Sequence, residues 1–120
     1  MRRSNREHGE LMKGNTPTLI LAVLAEAPRH GYAIAREIER RSQEALSLGE
    51  GSLYPALRLL EADGLVTSAW EPQPSGPARR VYSLTDGGRA ELAKRTRSWR
   101  EFVQAIEGVI TGGSHGPQPA

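Results

Sequence analysis

The chain of 120 residues carries 16 Lys and Arg against 14 Asp and Glu, a formal net charge of +2, and no cysteine. That length fits one domain, or half of a symmetric dimer core, and the missing thiols exclude a disulfide scaffold, a thiolate zinc site, a cysteine-held iron–sulfur cluster and a cysteine nucleophile. The longest apolar run, Leu19 to Ala25, falls well short of the ~18 residues of a membrane span, and the charged start (Arg2, Arg3, Arg6, Glu7) leads into no apolar stretch with a cleavage site, so the expected compartment is the cytoplasm.

Residues 1–15 read as a flexible arm or a short helix, with Ser4 and Glu7 spaced as a capping box and Leu11 and Met12 behind them. Thr16 followed by Pro17 predicts a helix start, with Thr as the cap and Pro where its missing N–H costs nothing. Leu19, Ile20, Val23, Leu24 and Ala27 then form one stripe, and Pro28 ends the helix. A second helix is predicted over about 32–42, with Ala33, Ile34 and Ile38 inward. After a turn at 47–51 comes a third helix, about 50–63, in which Leu53, Leu57 and Leu60 recur at helical spacing. Pro55 sits well in its first turn if Ser52 is the cap and leaves a looser start if Gly49 is.

Gly64 stops that helix. Residues 65–71 are strand-like, 72–78 form a Pro/Gly-rich tip, and 79–84 return as a second strand, which together predict a β-hairpin. Thr85 caps a last helix over about 86–110. There Leu92, Trp99 and Ile106 repeat every seven residues, and Phe102, Val103, Val109 and Ile110 widen the stripe into a seam suited to a partner helix. The tail, 112–120, has a disordered composition.

The expected fold is therefore mainly α with a small β-hairpin: a winged helix-turn-helix over 16–84 and a C-terminal dimerisation helix over 85–111. In such a layout the third helix enters the major groove and the hairpin wing lies on the backbone. Fourteen of the 16 basic residues are Arg, which suits bidentate contact to phosphate and guanine, although a GC-rich coding sequence gives the same bias. Arg58 is the candidate for guanine readout, set against a surface ion pair with Glu61. Of Arg79 and Arg80, strand alternation sends one toward phosphate and the other to pack or pair. Lys13 and Tyr32 lie near helix starts, where backbone N–H groups favour phosphate, and His30 reads as structural. Ser52 either caps its helix or donates to DNA.

The residues become specific in combination. Lys13-Gly14, His30-Gly31-Tyr32, the run Gly51-Ser52-Leu53-Tyr54-Pro55-Ala56-Leu57 through Gly64-Leu65-Val66, Trp70, and Arg79-Arg80-Val81-Tyr82-Ser83-Leu84-Thr85 with Gly88 resemble the PadR family. The resemblance spans about residue 11 to the end of the last helix. It implies a homodimeric transcriptional regulator, usually a repressor released by a small molecule, acting on a pseudo-palindromic operator without any cofactor. It also favours a phosphate contact for the Tyr54 hydroxyl, set against a half-buried aromatic packed on the wing. Trp99 resembles the last-helix Trp that stacks flat aromatic ligands between subunits, with Phe102 beside it; the plainer reading is that both pack the dimer core with Leu92, Val103, Ile106 and Ile110. One departure is Gly49-Glu50, where the family often has Ser-Pro. It puts an acid at the helix end that faces DNA.

An enzyme is not expected. His8, His30 and His115 lie in a tail, a turn and a tail, no helix pairs them at metal-ligand spacing, and Gly87-Gly88 lacks the Lys and spacing of a phosphate loop. The competing classes are a winged-helix protein adaptor that does not bind DNA and a sequence-indifferent DNA-coating protein.

Overall fold

The computed structural model describes Met12 and residues 14–112. The expectations placed on 1–11, on Lys13 and on 113–120 lie outside the described residues. From Thr16 onward the elements run in the order α1 (Thr16–Glu26), β1 (Arg29–His30), α2 (Gly31–Arg41), α3 (Glu50–Ala62), β2 (Val66–Glu71), β3 (Arg79–Leu84) and α4 (Asp86–Ile110).

α1 is the hub. Ile20, Leu21, Val23 and Leu24 are buried on it, and it packs against α2, α3, α4 and β3. Its start differs from expectation by one residue: Asn15, not Thr16, is the cap residue and makes no side-chain cap. The reason lies in the backbone, since Leu19 N–H already donates to Asn15 C=O (3.1 Å) and Asn15 N–H to Met12 C=O (2.8 Å). α2 adds Ile34 and Ile38 to the core and α3 adds Leu53, Leu57 and Leu60. Of the two starts open to α3, the looser one is adopted. Gly49 is the extended cap residue, the N–H groups of Ser52 and Leu53 both reach its C=O (3.1 and 2.9 Å), and Pro55 lies inside the helix. Ion pairs fasten the helix ends: Glu26 accepts from Arg29 and Arg41 (2.6 Å each), and Glu37 from Arg40 and Arg41.

At the end of α3 the chain turns through Gly64 with φ +75°, and Leu65 N–H donates to Leu60 C=O (2.9 Å), closing the helix with the left-handed residue that glycine tolerates best. The predicted hairpin forms, with Val66 opposite Leu84 and Glu71 opposite Arg79. It also gains a strand that no sequence pattern announced. Arg29 and His30 pair with Tyr82 and Val81, so the sheet order is β1-β3-β2. The missed strand has only two residues, too few to show alternation, and its partner lies far along the chain.

Thr85 caps α4 as expected: its Oγ1 accepts from Gly88 N–H (2.9 Å) and donates to Gly64 C=O (2.8 Å). The first half of α4 rests on α1 and β3, and the second half runs out along a molecule of 68 × 35 × 20 Å.

Candidate nucleic-acid interface

α3 is split by its own periodicity. Leu53, Leu57 and Leu60 face the core, while Glu50, Gly51, Ser52, Pro55, Arg58, Leu59 and Ala62 are exposed. Ser52 does not cap the helix, because Gly49 occupies that position, so its hydroxyl stays on the open face. The Arg58–Glu61 ion pair does not form. Glu61 instead accepts from Ser68 Oγ (2.7 Å) and lies 3.6 Å from Arg80 Nη2, and Arg58 has neither an ion pair nor a hydrogen bond among the described residues. Glu50 opens the helix as an exposed acid and complements its dipole.

The two wing arginines diverge as strand alternation requires. Arg80 lies over the Trp70 ring (5.6 Å to the centroid) and donates from Nε to Ser68 Oγ (2.8 Å), so it is the member of the pair that packs. Arg79 turns the other way and meets His30 Nε2 at 3.1 Å. Between these arginines and the start of α2 lies a notch of about 330 Å³, lined by His30, Gly31, Tyr32, Tyr54, Arg79, Arg80 and Tyr82. The half-buried Tyr54 ring fits against Gly31 so closely that a Cβ there would sit 2.7 Å from the Tyr54 oxygen. Tyr32 is exposed, and its hydroxyl accepts from Arg36 Nη1 (2.8 Å), which raises the Arg36 pKa further and leaves the Tyr32 O–H free to donate. Burial pushes the Tyr82 hydroxyl up, with the nearby Arg80 charge partly opposing it, so the group remains an O–H donor. Four of the singled-out side chains, Tyr32, Tyr54, Arg79 and Arg80, thus share one notch, and Ser52 and Arg58 lie on the adjoining helix face.

The apolar seam of α4 is exposed along its outer half. Trp99 is 47% exposed, Phe102 62%, Ile106 39% and Ile110 75%, and Val103 is half-buried. Leu92 differs: it packs against the core of its own chain, because the first half of α4 is pressed on α1. Trp99 borders an apolar cavity of about 370 Å³ with Met12, Thr18, Leu19 and Leu46, and an open groove that also holds Phe102, Val103 and Ile106.

A family model described as the transcriptional regulator PadR-like family matches residues 20–94, which covers α1 through the wing and into α4. The chain belongs to the PadR family. It is thereby a transcriptional regulator and not an enzyme. A transcriptional regulator of Mycobacterium tuberculosis is 38% identical over 96 residues, covering 80% of this chain and 83% of that one. Among solved structures, a PadR family transcriptional regulator from Eggerthella lenta superposes with a TM-score of 0.77 at 28% identity, over 88% of this chain and 89% of its own. A transcriptional regulator from Clostridium thermocellum superposes with a TM-score of 0.76 at 26% identity, over 82% and 95%. Among the described residues of this PadR chain, no helix is long and apolar enough to cross a membrane.

Sequence reasoning passed over three exposed or notch-lining side chains of this PadR chain. Leu59 is 68% exposed on the open face of α3, and its offset of one residue from the Leu60 stripe was the available signal. Trp70, 66% exposed on the wing, entered only among the residues that carry the family resemblance and was given no role. Tyr82 entered only as part of the family-like run, and its place in the notch follows from the pairing of β3 with β1.

Proposed function

We propose that this chain is a homodimeric repressor of the cytoplasm that binds a pseudo-palindromic operator and is released by a flat aromatic effector. The observation that carries the reading is the outer half of α4, where Trp99, Phe102, Ile106, Val109 (83% exposed) and Ile110 form a continuous apolar stripe. A monomer seldom leaves such a stripe in water. A second copy packed on it about a two-fold axis buries it and presents two α3 helices to successive major grooves. On each half-site Arg58 reads a guanine through O6 and N7, and Leu59 offers an apolar surface to a thymine methyl. Ser52, Tyr32, Tyr54 and Arg79 contact phosphate, with Arg80 supporting the wing from its ion-paired position. Lys13 adds a further phosphate contact. Occupancy of these grooves excludes RNA polymerase.

The effector stacks on Trp99 beside Phe102, between the two α4 helices. A change in their packing alters the separation of the α3 helices and weakens operator binding through a coupling free energy. Two measurements test the reading. Fluorescence anisotropy compares a labelled duplex from upstream of the protein's own gene with a scrambled duplex over a salt series. Preference for the native duplex with affinity falling as salt rises supports the repressor, equal binding supports a coating protein, and no binding at low salt supports a protein adaptor. Trp99→Ala is expected to keep operator binding and lose the response to aromatic ligands. An unchanged response removes the effector from this seam.

A further inference from the structure

Two groups in the notch have no role in the contacts assigned so far. The first is His30. Its Nε2 lies 3.1 Å from Arg79 Nη1. A guanidinium has donors and no acceptor, so the contact is a hydrogen bond in the tautomer whose Nε2 accepts. The contact fixes an exposed arginine that is otherwise free to sample many rotamers. The second is Tyr82. Its ring is buried in the core, and its hydroxyl, not itself enclosed, meets the notch and makes no hydrogen bond among the described residues. No carboxylate lines the notch, and the nearest acid in the ion-pair network, Glu61, is engaged by Ser68 and Arg80 on the α3 side. Three tyrosines, two arginines and the start of α2 therefore line one space, and such groups suit a tetrahedral oxyanion.

We propose that this notch clamps one backbone phosphate of bound DNA, with Tyr82 donating its hydroxyl to the phosphate and His30 serving as the positioning residue that holds Arg79 against it. The inference rests on the DNA-binding reading above and adds two residues to it.

The test uses the full chain and a labelled mixed-sequence duplex at low salt, because a phosphate contact does not depend on sequence. Arg79→Ala is expected to weaken binding and to lower the slope of log affinity against log salt by ~0.9, one phosphate's worth of counterion release. His30→Leu is expected to weaken binding about three- to tenfold, the range of one hydrogen bond, and to add nothing in the Arg79→Ala background. His30→Gln keeps a carbonyl acceptor for Arg79 and is expected to restore wild-type affinity, a rescue that a purely structural role of His30 would not produce. Tyr82→Phe is expected to weaken binding about threefold at an unchanged salt slope and melting temperature, since a neutral donor displaces no counterion. Multiplying effects of His30→Leu and Arg79→Ala, or a His30→Gln protein as weak as His30→Leu, overturn the positioning role. Wild-type affinity in Tyr82→Phe overturns the clamp. If Arg79→Ala changes neither affinity nor slope, the wing does not meet DNA and the underlying reading fails with the proposal.

Discussion

Arg58 shows how one missing contact alters a residue's role. Its natural helical partner, Glu61, is taken by Ser68 and Arg80, so the guanidinium is left on the open face of α3 with no described ion-pair partner. Replacing Arg58 with Ala is expected to cost about 1–3 kcal/mol of operator affinity and to relax specificity at a single base position. Titrating a set of single-base operator variants checks it: a loss spread evenly over all sequences would assign Arg58 to phosphate instead. At Glu37 the effect is on pH dependence. Hydrogen bonds from Arg40 and then Arg41 lower its pKa from 4.5 to about 2. A lowered carboxylate pKa stabilises the folded chain above the ordinary value, and that contribution fades as pH falls toward the folded one. The stability gap between the wild type and Glu37→Gln is therefore expected to be full above pH 4.5 and to close as pH falls to about 2. It is also expected to be small and to narrow in salt, because the pairs are at the surface. Melting curves across that range decide it.

At the scale of elements, the junction between wing and α4 is the tightest joint. Thr85 ties α4 to Gly64 and caps Gly88, while Gly88 is buried where a Cβ would collide with the Leu65 carbonyl and the Leu84 side chain. A backbone carbonyl cannot rotate away as a side chain can. Gly88→Ala is therefore expected to destabilise the fold by about 1–3 kcal/mol, the usual cost of overpacking. This is measurable as a lower denaturant midpoint, and an unchanged midpoint would mean that α4 can slide on the sheet. The same joint sets the direction in which the apolar seam of α4 leaves the domain. It thereby links the position of the wing to that of any partner packed on α4.

The whole molecule is long and thin because α4 carries apolar surface beyond the core that α1 gathers. That shape is expected of half an assembly. Ile106→Asp places a charge in the middle of the exposed stripe, away from the core residues of its own chain. It is expected to give a folded monomer whose melting temperature no longer rises with protein concentration, as a dimer's does by mass action. Sedimentation of the variant beside the wild type checks this, and a variant that still sediments as a dimer would place the interface elsewhere.

The sequence by itself determined the order of the helices from Thr16 onward, the hairpin, the Thr85 cap and the Gly64 stop. Each of these is written in residues within a few positions of one another: Leu53, Leu57 and Leu60 share a face by helical geometry alone, and Gly64 reads as a stop because its left-handed φ suits few other residues. In combination, the family-like runs also pointed to the PadR family. Only the tertiary structure decided the rest. It paired Arg29 and His30 with Val81 and Tyr82, gave Glu61 to the wing instead of to Arg58, turned Leu92 inward, and brought His30, Tyr54, Arg79 and Tyr82 around one notch. These outcomes depend on which distant segments compete for the same partner, and no local period or spacing encodes that competition.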